Sequence, residues 1–171
     1  MSFWLSLLND IAVSLFGSVL SASFCDALAT RRNRRLFWCC MALITILQGV
    51  VYSIWSADFL RYIYPLIMHL PLLLVLWLLT GKLLWPLISI LSAYFFCELR
   101  RWIALLAVVL FRGGDMMQDL AELIITLPLL LLLLHFFTPV IRQLSGQSPK
   151  QQWIFGLIPA VYYLFDYGTR V

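Results

Sequence analysis

Between Leu129 and Phe137 the chain runs through six consecutive leucines, a single histidine and two phenylalanines. In water such a run is an aggregation hazard, because nothing in it can hold a solvated surface. Its flanks are apolar as well. From Asp119 to Pro139 the segment reaches the length of about 20 residues that an α-helix needs to cross roughly 30 Å of hydrocarbon. A bilayer offers no water to the backbone, so a segment inside it must satisfy its own N–H and C=O groups, which a helix does. Composition extends this reading to the whole chain. Of 171 residues 63% are hydrophobic and 12% charged, whereas a soluble domain has about half its residues apolar and roughly a quarter charged.

Stretches of similar length and polarity recur along the sequence, which predicts an all-α, polytopic transmembrane bundle of about six spans over residues 1–171. The first is about Phe3 to Phe24; it lacks a basic leader and a small-residue cleavage site and carries Asn9 and Asp10, so it reads as a retained span and not as a signal peptide. The second runs from about Leu36 to Trp55. The third, about Tyr62 to Thr80, tolerates Pro65 and Pro71 because neighbouring helices can satisfy freed carbonyls. Gly81 and Lys82 form a tight connection. From Leu83 to Phe111 no turn residue interrupts the apolar character, so one long tilted helix is expected, with two short half-spans as the alternative. A turn at Arg112 to Asp115 leads into the fifth span, 119–139. A polar loop from Ser145 to Gln152 precedes the sixth, about Trp153 to Tyr167, which contains Pro159.

Basic residues set the expected orientation. Arg31, Arg32, Arg34, Arg35, Lys82, Arg142 and Lys150 fall on one set of connections, and Arg61, Arg112 and Arg170 on the other. The richer set is expected to be cytoplasmic, which places the N-terminus outside. No soluble basic face exists to hold a nucleic acid. The four cysteines, Cys25, Cys39, Cys40 and Cys97, show no metal-ligand spacing and read as small hydrophobes. Neither a metal nor a cofactor is expected. No nucleophile set, HExxH helix or glycine-rich phosphate loop appears, and a membrane enzyme is accordingly the least supported class.

Ionisable residues inside spans are costly and therefore informative. Asp10, Glu98, Arg100, Arg101, Asp119, Glu122 and Asp166 all fall in the outer half of the bilayer on this topology. Glu98 and Arg101 share a helix face, as do Asp119 and Glu122. The fourth and fifth helices, joined by a short turn, are expected to bring Arg100 or Arg101 against Glu122, in a layer that also receives Asp10 and Asp166. Two readings stay open: an ion-pair network that only fixes helix register, or an outward-facing polar cavity, rimmed by Trp102, Tyr162 and Tyr163, that binds a ligand. His69 and His135 stand alone among aliphatics and read as packed or bonded to a backbone carbonyl.

A resemblance enters at the same residues. The stretch Cys97-Glu98-Leu99-Arg100-Arg101-Trp102, the block Gln118 to Leu123 leading into Thr126-Leu127-Pro128-Leu129, and the phrase from Phe155 to Tyr167 resemble the N-terminal membrane region of clostridial sensor histidine kinases with a GHKL-type ATPase domain. The resemblance implies a receptor module laid out like the peptide-pheromone receptor kinases of Gram-positive quorum sensing. One further span, a coiled coil with the phospho-accepting histidine and an ATP-binding domain would then follow, so this chain is expected to be a fragment without kinase activity. Expected partners are membrane lipids, a peptide or small-molecule signal, and a second copy in a homodimer. The rival function is a small substrate-binding membrane subunit of a transporter.

Overall fold

The computed structural model describes residues 3–55 and 63–170. Tyr62, expected to open the third span, and Arg61, which entered the charge balance, lie outside the described residues. Among the described residues every regular element is helical. Helix α1 is Phe3–Phe24, α2 is Arg31–Ile54, a π-helical turn Pro65–His69 leads into α3 at Leu70–Thr80, and α4 is Leu84–Phe111. Helix α5, Asp115–Leu132, continues through a second π-helical turn, Leu133–Phe137, into α6 at Thr138–Leu144, and α7 is Pro149–Arg170.

Three of these rods are long and apolar enough to cross a bilayer, Trp4–Phe24, Arg31–Ile54 and Met116–Leu144, with a shorter apolar helix over Pro65–Thr80. By the length and composition of its helices the chain is a membrane protein. Its surface agrees: Leu78 and Val109 are each 75% exposed and Leu164 70%, positions that only a hydrocarbon solvent would favour. Helix α4 is unbroken, as expected of the 83–111 segment, and it carries three charged residues, Glu98, Arg100 and Arg101, in its second half.

Several helix ends differ from the sequence expectation, each for a local reason. Helix α2 starts at Arg31 and not at Leu36, because Thr30 caps it: the Asn33 amide donates to Thr30 Oγ1 at 3.1 Å. The four arginines are therefore helical, and do not fill a loop. The fifth rod begins at Asp115 behind Gly114 and runs to Leu144, well beyond 119–139 at both ends. Helix α7 starts at Pro149, where Ser148 bonds Gln151 through its hydroxyl at 2.9 Å and its amide at 3.2 Å. Both π-helical turns end two residues before a proline, His69 before Pro71 and Phe137 before Pro139. Proline lacks an N–H and its ring crowds the carbonyl four residues back, and widening the preceding turn relieves that clash without ending the helix.

Helix α4 occupies the centre, packed against α1, α5 and α7, while α1 also packs on α5. Phe16, Leu20 and Phe24 of α1 meet Trp85, Ile88 and Ala93 of α4 and Leu129 and Leu133 of the fifth rod in one core. Small residues allow close approach: a methyl on Gly17 would stand 3.3 Å from Cys97 Sγ. The last carbonyls of α1 are satisfied from elsewhere in the bundle, Ser23 by Arg142 Nε at 2.6 Å and Phe24 by the Trp85 indole at 3.1 Å.

Helices α4 and α7 approach closely at Gly156 of α7, where an added Cβ would lie 2.8 Å from Ile88 Cγ1. Gly156→Val is expected to destabilise the bundle by about 1 to 3 kcal/mol through overpacking, and Ile88→Ala in the same chain to recover part of the loss. Thermal unfolding in detergent measures both. An unchanged midpoint in the single variant would mean that α4 and α7 do not meet there.

Candidate functional site

Hydroxyls and charges inside a membrane bundle are costly unless they are hydrogen-bonded or paired. Along α1, Asp10, Ser14, Ser18 and Ser21 recur at helical spacing on one face. The Ser14, Ser18 and Ser21 hydroxyls donate to backbone carbonyls one turn back, at 2.8, 2.7 and 2.7 Å. Each hydroxyl thus spends its only proton within its own helix and presents lone pairs outward. Ser14 shows the consequence, since Gln48 Nε2 donates to its Oγ at 3.0 Å and the Tyr64 hydroxyl lies 3.0 Å away as the second donor.

This face forms one wall of a cavity of about 690 Å³. The size suits a ligand of a few hundred daltons. The third rod contributes Tyr64 and His69, α4 contributes Tyr94 and Cys97, and Tyr167 comes from α7; Met68, Leu72 and Ile90 supply apolar wall. Asp10, Glu98, Arg100, Arg101, Asp119 and Glu122 all line it. They come from the first half of α1, the second half of α4 and the start of α5, so the antiparallel bundle gathers them at one end.

Arg100 organises the floor. Its Nη2 contacts Glu122 Oε2 at 2.8 Å, while Nη1 donates to Asn9 Oδ1 at 2.9 Å and to Thr126 Oγ1 at 3.0 Å. Asn9 in turn donates to Glu122 Oε2 at 2.9 Å and Asp119 Oδ1 at 3.3 Å. Gln118 donates to the other Glu122 oxygen at 3.2 Å, and Thr126 returns its proton to the Glu122 carbonyl at 2.6 Å. With Arg100 only 3% exposed and Glu122 6%, this is a buried, charge-assisted network spanning three helices. Adjacent positions diverge by about 100° around a helix. Arg101 accordingly points away from this network, half exposed, and pairs with Glu98 of its own helix at 3.9 Å.

A second polar cluster sits between the cavity and α7. His69 Nδ1 lies 3.0 Å from the Tyr163 hydroxyl, and the rings of Tyr64, Tyr94 and Tyr163 stand around its imidazole at 5.2, 5.6 and 5.5 Å. The Tyr94 hydroxyl donates to Asp166 Oδ2. Asp166 thus joins the site through Tyr94 and is not part of the wall. Tyr162 stands behind that wall, its ring 5.2 Å from Phe95 and 6.5 Å from Tyr94. Trp102, expected at the rim, is 63% exposed on the outer surface. His69 bonds a tyrosine and not a backbone carbonyl, and it has a place in the cavity that its isolation in the sequence did not suggest. Sequence reasoning also passed over Asn9, Ser14, Ser18, Ser21 and Gln118, although the serine spacing on α1 was there to be read.

Among the described residues no group of three or more His, Cys, Asp or Glu side chains is placed to hold a metal ion. The site gathers fixed donors, carboxylates and aromatic faces around a partly apolar space. No family model matches the chain, and no match is found among curated proteins or solved structures.

The two arginines should behave differently when removed. Arg100→Leu and Glu122→Leu each strand a buried charge and are expected to cost about 3 to 5 kcal/mol, with the double substitution far less costly than their sum. Arg101→Leu removes a half-exposed pair and should cost under about 1 kcal/mol. Thermal unfolding of the set in detergent reads the coupling. Additive losses at Arg100 and Glu122 would mean that the two charges do not meet.

Proposed function

We propose that this chain is the membrane-embedded sensing and anchoring module of a two-component sensor histidine kinase, with a peptide or small-molecule signal binding in the outer half of the bundle. The observation that carries the reading is the cavity: about 690 Å³ at one end of the bundle, with charged and polar groups from several helices converging on it. A bundle held together only by ion pairs has no need of that space. The resemblance of the Cys97–Trp102, Gln118–Leu129 and Phe155–Tyr167 stretches to clostridial sensor kinases supplies the signalling context. On this reading the chain crosses a bacterial plasma membrane about six times, with α4 and α7 as spans beside the three long rods and Pro65–Thr80. The N-terminus lies outside and the arginines of α2 inside.

Signal binding would act through α7. That helix packs chiefly on α4, and its further side-chain tie to the third rod is the His69–Tyr163 contact. A ligand that touches His69, Tyr94 and Tyr167 therefore meets the groups that hold the outer part of α7, and differential binding to two positions of that helix is what a receptor requires. The phosphate chemistry would belong to a kinase beyond this chain, and a homodimer would bring two such modules together.

Orientation can be tested by single-cysteine labelling in a cysteine-free background. An impermeant reagent applied outside should modify a cysteine placed at Gly114 and spare one placed at Asn33; the reverse pattern would invert the membrane topology and place the cavity on the cytoplasmic side.

The sensor assignment is tested at the gene and in the tube. Reading the gene past the Val171 codon should show a seventh span followed by kinase motifs, and the purified chain incubated with labelled ATP should remain unphosphorylated. A stop codon at that point would favour the transporter subunit, and stable incorporation of phosphate would return the chain to the enzymes.

A further inference from the structure

At the opposite end of the bundle from the cavity, Arg31, Arg32, Arg34 and Arg35 form the first turns of α2, all four exposed. At about 1.5 Å per residue they lie within roughly 6 Å along the helix axis, and the pairs Arg31–Arg34, Arg31–Arg35 and Arg32–Arg35 share faces. Among the described residues none of the four pairs with a carboxylate. The acid of the adjoining connection, Asp26, is already engaged by Arg142 Nη1 at 2.9 Å. The first turn of α2 contains no acidic residue. Cations there face the positive end of the helix dipole, the end at which they are least favoured. The protein thus concentrates positive charge where its own structure opposes it, and among the described residues no anion answers it.

The missing anion has a natural source next to the patch. Directly after the arginines come Leu36, 48% exposed, and Trp38, 49% exposed, followed along the same rod by Leu43 at 68% and Ile46 at 63%. An exposed aliphatic face that begins with a tryptophan places the arginines at the depth of the lipid phosphates, since the indole settles at the headgroup level and the leucines in the tails. Guanidinium groups bind phosphate through paired N–H donors.

We propose that the first turns of α2 form a binding surface for anionic phospholipid headgroups, with the apolar face from Leu36 onward seating the acyl chains of the same lipids. The surface is distinct from the cavity and does not depend on a sensory role. Its occupant is a lipid and not a free phosphate, because the charged patch and the apolar face are continuous on one helix and only a lipid satisfies both.

The full chain, purified in a neutral detergent, would be titrated with dioleoyl phosphatidylglycerol or dioleoyl phosphatidylcholine, and retained lipid counted by native mass spectrometry. Preference for the glycerol lipid is expected to be on the order of tenfold and to weaken as salt is raised. The R31Q/R32Q/R34Q/R35Q chain should lose most of it, while Arg112→Gln, an arginine at the other end of the bundle, should keep it. Circular dichroism confirms that the helices persist, and R31Q/R35Q, expected to lose an intermediate share, takes the place of the quadruple variant if that chain does not fold. Equal retention of the two lipids by the unaltered chain would overturn the proposal, as would a preference that survives loss of the arginines. Inorganic phosphate abolishing glycerol-lipid retention at millimolar concentration would also overturn it, because the site would then read phosphate alone.

Discussion

A guanidinium cannot sit inside an apolar bundle unless its charge is met, and Arg100 is the residue on which the rest of this structure turns. Its position on α4 draws Glu122 and Thr126 from α5 and Asn9 from α1. In a bilayer the helices gain nothing from hiding apolar side chains from one another, since lipid tails are equally apolar; close packing and interhelical hydrogen bonds must hold them in register. The Arg100 network fixes three helices in rotation and height at one end. At the other end the same need is met by backbone carbonyls, with Arg142 and Trp85 closing the last turn of α1. Between the two ends the contact is steric, through Gly17 against Cys97 and through the aliphatic core.

The cavity follows from this arrangement. Where α1 turns its serines toward α4 and the third rod, the facing side chains are too short to fill the space, and the polar groups that anchor the helices also line what is left. Carboxylates held by an arginine and an asparagine are pre-oriented, so a ligand meeting them would not have to order them itself. The groups that hold the helices in register and the groups that line the space are thus largely the same residues.

Much of this was legible in the sequence, and the remainder was hidden for identifiable reasons. Hydrophobic runs revealed the helices, because span length is a property of the chain alone. The meeting of one arginine with Glu122 could be anticipated from a short turn between two helices, but the choice of Arg100 over Arg101 could not, since a shift of about 100° around α4 depends on how its other faces pack. Helix starts were misjudged wherever polarity was taken as the signal: Thr30 and Ser148 cap their helices among charged or polar residues, so helical structure extends beyond the apolar window. The π-helical turns leave no mark in hydropathy, although each stands just ahead of a proline. Serine was undervalued for a related reason. A hydroxyl that bonds its own backbone costs an apolar helix little, so a row of them hardly lowers hydropathy while building a polar wall.

The seventh helix shows how unevenly such a bundle is held. Its first half is locked sterically, with Gly156 against Ile88 and the Phe155 ring 6.3 Å from Trp85. Pro159 then removes a backbone hydrogen bond. Beyond it, aromatic and polar contacts dominate: Tyr163 with His69, Asp166 with Tyr94, and Tyr163 stacked on Tyr167 at 5.6 Å. Steric interlocking resists displacement in every direction, whereas hydrogen bonds can be exchanged for others of similar strength. The half of α7 that borders the cavity is therefore the half whose contacts a ligand could replace. That division of labour along one helix, rigid where it is buried among aliphatics and exchangeable where it meets the polar space, gives the proposed receptor a physical route from an occupied cavity to a displaced helix.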